Sequence, residues 1–420
     1  MRKGILVLLC LIILLLSGCV QNEKELPKDV SAISTKWQDN QLVYLTDNGL
    51  FVYNTLDGKT EPLMTDDISK RDINWLNCNF SPDKSKYIMI TMGKYDNTVE
   101  IRDTKTGENF LSLDTEKYRG DVGGYSPPIG QAEWIDNKNI FLTTEFRLYI
   151  INILTGREIQ VTEECAPVTT KANHNVEAPY LSWAANVKKM GDKLYYNSKR
   201  EIGKAGLGSI YCGNQEGERE LIPNARLIMA LDDTRFVYWK ETRPDVLATL
   251  LYDISTSSSF LIADTDSLPE EIFRINNGKL AYMTGKMTGG IYRGAVYDPN
   301  TRQAQEFDIY NAERDFPDND IDQRQFGHFM GAWEKDGEYV FLFSVENFST
   351  SQGKYLKEYL AYSTRTKKII EIDDYGDTWL VNMNISPSGE YIAVTKHKSP
   401  GDDSFLFDVI QADNLLEQLK

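Results

Sequence analysis

The sequence predicts an all-β chain folded as a β-propeller of eight four-stranded blades, and three observations predict it. First, one short pattern recurs eight times: a bulky apolar residue, a tight turn of Asp, Asn, Pro or Gly type, then a strand rich in Val, Ile, Tyr and Phe. The copies are WQDNQLVYL (37–45), FSPDKSKYIMI (80–90), WIDNKNIFL (134–142), KMGDKLYYN (189–197), LDDTRFVYW (231–239), INNGKLAYM (275–283), WEKDGEYVFLF (333–343) and ISPSGEYIAV (385–394). Second, each copy is followed by another strand–turn–strand signature, such as TVEIRDTKTGENFLSL (98–113) and RLYIINILTGREIQV (147–161), whose Asp/Asn and Gly residues carry hairpin chemistry. Third, no amphipathic helix of any length interrupts the strands. Four strands per unit, a to d, repeated in tandem, give the blade of a propeller.

Seven blades is the alternative count, because the last unit ends in ADNLLEQLK (412–420), which reads as a helical turn. The units run from a to d throughout. No N-terminal strand is therefore expected to complete the last blade, and closure is expected to rest on packing between blades 1 and 8.

The chain starts differently. Arg2 and Lys3 precede an apolar run from Gly4 to Leu16, too short to cross a bilayer as a helix, which takes roughly 20 residues. A short apolar core flanked in this way reads as an export signal. Leu16-Ser17-Gly18-Cys19 resembles the bacterial lipobox. The resemblance implies cleavage before Cys19 and acylation of its thiol, which would hold the protein at a bacterial membrane on the extracytoplasmic side. The expected division is a signal peptide (1–18), a lipidated N-terminus and flexible tether (19–30), and the propeller (31–420).

The formal net charge of −16 argues against nucleic acid as a partner, since phosphates would be repelled. Of the five cysteines, Cys78, Cys165 and Cys212 remain after the signal and the lipid site. They are odd in number and widely spaced, which fits neither a disulfide framework nor zinc.

FSPDKSKYI and ISPSGEYIAV resemble the Ser-Pro-Asp-Gly-Lys strand motif of TolB-like, WD-repeat-like propellers, also seen in prolyl-oligopeptidase-type enzymes. That resemblance implies the fold rather than the function. Trp37, Trp134 and Trp333 stand at what reads as one repeat position, before the a–b turn, and are expected to pack between blades.

Propeller geometry places a–b and c–d turns on one face and b–c and d–a connections on the other. The long connections, such as 114–130, 162–179, 284–294, 310–328 and 344–357, belong to the second face, where binding is expected. Tyr118, Arg119, Tyr125, Tyr292, Arg293, Arg324 and Tyr355 are the candidate partner-binding residues there, Tyr and Arg being enriched at hot spots. Asp318, Asp320 and Asp322 have the alternation of a calcium loop, but Gln323 replaces its Gly and Phe329 its final Glu. His174 with Glu177, His328 and His397 would form a metal or general-base site only by converging. No G-x-S-x-G, H-E-x-x-H or P-loop occurs, and no hydrolase domain follows the repeats. The expectation is therefore a non-catalytic scaffold or accessory subunit without a cofactor, binding an envelope protein or peptide. The alternative is an extracytoplasmic hydrolase or lyase for a polysaccharide or small molecule, with its site at the channel mouth.

Overall fold

The computed structural model has eight four-stranded antiparallel sheets, one built on each repeat, and the sheets form one ring. The structure describes residues 26–420 apart from 33, 47, 65–74, 93–96, 115–116, 118–129, 145–146, 163–185, 199–206, 244–245, 264–270, 286–290, 312–323, 350–353, 373–378 and 398–404. The innermost strands, a, are Ser34–Gln38, Trp75–Phe80, Gln131–Trp134, Lys188–Met190, Ala225–Ala230, Ile272–Arg274, Arg324–Lys335 and Trp379–Ile385. Most neighbouring pairs of them meet around the axis.

Burial grades outward through each blade for a physical reason. Strand b is covered on both faces by neighbouring blades, so it is a continuous apolar run rather than an alternating one; Leu42 to Leu45 are all buried. Strand d borders solvent, and Lys59–Met64 buries only its last two residues. The c–d turns use the expected chemistry. Asp103 Oδ1 accepts from the backbone of Lys105 and Thr106, and Asn152 Oδ1 does the same for Leu154 and Thr155. Gly107 and Gly156 then take φ of +69° and +68°, and a Cβ on Gly107 would lie 2.8 Å from the Leu63 carbonyl oxygen. The two Ser-Pro motifs share one device: Ser81 and Ser386 accept at Oγ from the backbone N–H of Lys86 and Tyr391, at 3.0 and 3.1 Å.

Closure departs from the expectation. The outermost strand of blade 8 is Val30–Ala32, from the N-terminus, pairing with Phe405–Gln411 through Val30↔Phe407 and Ala32↔Phe405. The edge of that strand would otherwise be open, and the N-terminal segment satisfies it. Lys396, 5% exposed, donates to Asp408 Oδ2 at 2.6 Å and Asp29 Oδ1 at 2.7 Å. The Asp29 N–H reaches Asp408 Oδ1 at 2.6 Å, and Val409 donates to the Pro27 carbonyl at 2.8 Å. The segment read as a tether is thus part of the ring from Pro27 onward. The C-terminal residues form helix α1, Ala412–Leu419, whose Ala412, Leu415, Leu416 and Leu419 pack into the core between blades 7 and 8. The ring therefore has eight blades, with no fourth strand from the C-terminus.

Tryptophan placement is also corrected. Trp37 and Trp134 face the preceding blade and donate from Nε1 to the carbonyls of Asn384 and Asn79, each at 2.9 Å. Trp333 stands one residue further from its turn: it pairs with Val340, whereas Glu334 pairs with Tyr339. One residue reverses the face of a strand, so Trp333 packs toward blade 8 with Met383, Ile392 and α1.

Candidate functional site in the central channel

Inner strands are joined around the ring by polar side chains. Lys36 Nζ donates to Asn79 Oδ1 at 2.7 Å, Asn79 Nδ2 to the Ala132 carbonyl at 3.3 Å, and Gln131 Nε2 to the Val187 carbonyl at 3.3 Å. Further round, Arg274 donates to the Leu231 carbonyl at 2.8 Å, and Asn276 exchanges two hydrogen bonds with the Glu334 backbone.

Register places four of these blades' polar residues on one tier. Lys36, Asn79, Glu133 and Lys188 lie opposite Val43, Ile88, Phe141 and Tyr195, the same repeat position in blades 1 to 4. Met229, Phe273 and Trp333 hold that position in blades 5 to 7, and Asn384 in blade 8. One arc of the tier is polar and charged and the other apolar.

Lys36 is exposed to solvent, although the neighbouring inner strands desolvate it in part. Desolvation therefore pushes its ammonium below the ordinary lysine value; Glu133 opposes this shift, and the like charge of Lys188 adds to it. Those interactions put Lys36, Glu133 and Lys188 within electrostatic reach across the channel. Gln131 Nε2 donates to Glu133 Oε1 at 2.9 Å and so fixes the carboxylate. Sequence reasoning missed these residues. Their trace is a charge immediately before a repeat Trp, in Lys36-Trp37 and Glu133-Trp134, within a strand that packing alone would make apolar.

The strands that flank the long connections, Asn109–Leu113 with Gln131–Trp134 and Glu158–Gln160 with Lys188–Met190, have their facing ends on the expected face, where the Pro223-to-Ala225 link is short. Cys19, Tyr118, Arg119, Tyr125, Asp318, Asp320 and Asp322 lie outside the described residues, as do His174 and Glu177. Tyr292 is corrected from surface to core. Strand c of blade 6 begins at Ile291, and Tyr292 is 1% exposed, its ring centroid 5.4 Å from that of Tyr310. Arg293, its neighbour on the opposite side, is exposed and 3.3 Å from Asp308. Arg324 and Tyr355 sit on the extended strands of blade 7, opposite Asn347 and Phe348, so the backbone brings them to one end of the sheet. His328 Nδ1 lies 3.8 Å from Glu271 Oε1 between blades 6 and 7, while His397 pairs with Trp379 in blade 8. Among the described residues no three His, Cys, Asp or Glu side chains are grouped as a metal site.

No family model matches the chain, and no curated protein matches it in sequence. Solved structures do. Porphyromonas gingivalis dipeptidyl peptidase 4 aligns over 91% of this chain and 58% of its own, at 9% identity and a TM-score of 0.57. A prolyl endopeptidase aligns over 89% and 55%, at 12% and 0.50. An oligogalacturonate lyase in complex with manganese aligns over 93% and 100%, at 13% and 0.46. The chain thus spans little more than half of each peptidase. At such identities the likeness establishes the fold.

The expectation of a non-catalytic chain is corrected: the same fold occurs within a dipeptidyl peptidase and a prolyl endopeptidase, so the propeller gives no ground for excluding catalysis. The physical error lies in its premise. Missing linear motifs exclude the machinery those motifs encode, whereas a ring of inner strands assembles acids and bases from separate blades without any motif.

Proposed function

We propose that the chain is a lipid-anchored extracytoplasmic enzyme acting on a polysaccharide or small molecule at the channel, with Lys36 as the proton acceptor. One observation carries this: Lys36, Glu133 and Lys188 share a tier on the inner strands, and partial desolvation there disfavours the Lys36 ammonium. An amine poised in this way takes a proton from an acidic C–H or O–H of the substrate more readily than an ordinary lysine. Lys188 offers positive charge to the negative charge that develops as the proton leaves. The fixed Glu133 carboxylate stands ready to accept a substrate hydroxyl hydrogen bond. The anchor is the lipid on Cys19, which sets the work on the outer side of a bacterial membrane.

A peptide or envelope protein at the same mouth is the second reading. It is favoured by blade 7, whose strands Arg324–Lys335, Glu338–Ser349 and Lys354–Ser363 run well beyond those of the other blades on the long-connection face.

Envelope polysaccharides and peptides incubated with the mature protein, followed by mass spectrometry of the products, test the activity. Turnover that disappears in Lys36→Met supports the reading; equal turnover in wild type and variant removes it. Cys19→Ser is expected to move the protein from the membrane fraction to the soluble one.

A further inference from the structure

The distribution of charge around the ring is lopsided. The chain carries 46 Lys and Arg against 62 Asp and Glu, yet its eight inner strands hold seven Lys or Arg residues against two acids, Glu133 and Glu334. Some of those cations have local tasks. Lys189 acts on Asp136, and Lys335 is ion-paired with Asp413, both at the short-turn face; Arg324 stands at the far end of blade 7. Arg274 holds the same repeat position as Lys189 and donates to the Leu231 carbonyl at the a–b turn of blade 5. Three remain on the inner strands: Lys36, Lys188 and Arg226.

Lys36 donates to an amide oxygen and also feels the Glu133 carboxylate, while Arg226 lies over the Trp239 ring at 5.7 Å. Lys188, Arg226 and Arg274 form no ion pair among the described residues. Arg226 pairs with Trp239, which stands two positions from Val237, the partner of Met229, toward the long-connection face and roughly 7 Å from the tier. A ligand entering from that face therefore passes Arg226 before it reaches Lys36 and Lys188. An acidic protein gains nothing in solubility from cations on its inner strands, and the single Glu133 carboxylate leaves the charges of Lys36, Lys188 and Arg226 only partly balanced.

We propose that the channel is an anion site, and that its ligand carries carboxylate or phosphate groups received by Lys36 and Lys188 on the tier and by Arg226 at the entrance. The apolar arc of Met229 and Phe273 gives the same ligand a non-polar side to rest on, and Glu133 accepts from a hydroxyl rather than from the anionic group. The inference rests on the channel being the functional site and names the chemical class that the site takes.

Titration calorimetry of the full mature protein with citrate and with pyrophosphate tests it, with spermidine as the probe of opposite charge. At least one anion is expected to bind, at least tenfold more weakly in Lys188→Met, with Lys188→Arg restoring most of the affinity and added salt lowering it. Citrate alone marks a carboxylate ligand, and pyrophosphate alone a phosphate. Binding of neither anion by folded protein, binding of spermidine instead, or equal anion affinity in Lys188→Met overturns the proposal. Failure here is separable from failure of the enzyme reading. Anion binding without Lys36-dependent turnover sinks only the latter, and Lys36-dependent turnover of a neutral substrate without anion binding sinks only the former.

Discussion

Replacing Lys396 with Met tests how the ring is held shut. The methionine keeps the apolar stem and removes the ammonium that joins Asp408 in strand c of blade 8 to Asp29 beside the N-terminal strand. Asp408 is 6% exposed at its side chain, so its carboxylate is left buried with only the Asp29 N–H as a strong donor. Breaking one side of a buried pair costs about 3 kcal/mol or more, mostly the cost of the stranded charge. Urea unfolding at neutral pH followed by tryptophan fluorescence is expected to show that loss for Lys396→Met. The double variant Lys396→Met/Asp408→Leu is expected to recover most of it, because no charge is then stranded. The pH window has two edges. Paired carboxylates raise the Lys396 ammonium above its ordinary 10.5, so its contribution is full below that value and is lost as pH rises through the higher folded value. Lys396 lowers the Asp29 carboxyl below 3.8, so that contribution is present above 3.8 and disappears as pH falls through the lower folded value. A loss under 1 kcal/mol in Lys396→Met, or a double variant no better than the single, would refute the latch.

Three further outcomes follow from packing and burial. Gly294→Ala places a Cβ 2.1 Å from Ile309 Cδ1 and 2.8 Å from Phe341 Cε1, so a loss of about 2 kcal/mol is expected in the same urea assay. Trp134→Phe keeps the ring between blades 2 and 3 but abandons the Asn79 carbonyl, for about 1 kcal/mol, and Trp37→Phe should match it. Burial pushes the Cys78 thiol up to about 12, so peptide mapping after thiol alkylation at pH 8 should find Cys78 modified only in urea.

Much of the architecture was legible because each blade carries its own punctuation. Asp103, Asn152 and their glycines announce c–d hairpins, and Ser81 and Ser386 announce a–b turns, all from contacts within a few residues. The N-terminal strand had no such mark. Val30–Ala32 is three residues long, and the groups that fix it, Asp408, Val409 and Lys396, lie more than 360 positions away. Trp333 was misread for the opposite reason: its local signature is intact, but one extra residue before the turn changes its face. The channel tier was hidden because it is read across blades. Each of Lys36, Glu133 and Lys188 looks ordinary alone, and only the common register of three separate hairpins brings them to one tier.

That register has a consequence that proton counting can reach. In the free protein the Lys36 ammonium is disfavoured by partial desolvation and by Lys188. A bound anion supplies the opposite charge and favours the ammonium, so the Lys36 pKa rises on binding. Between the free and bound values, binding must then take up protons, and anion affinity must fall as pH rises through that interval, whose lower edge lies below the ordinary 10.5. Calorimetry of citrate binding in two buffers of different ionisation enthalpy, at stepped pH up to that value, reads the uptake directly. Lys36→Met should abolish the uptake, and Lys188→Met should weaken binding while leaving the sign of the proton change intact. A tier that merely stiffens the ring would bind citrate, if at all, with the same proton count in wild type and Lys36→Met. A channel that works through Lys36 requires the difference.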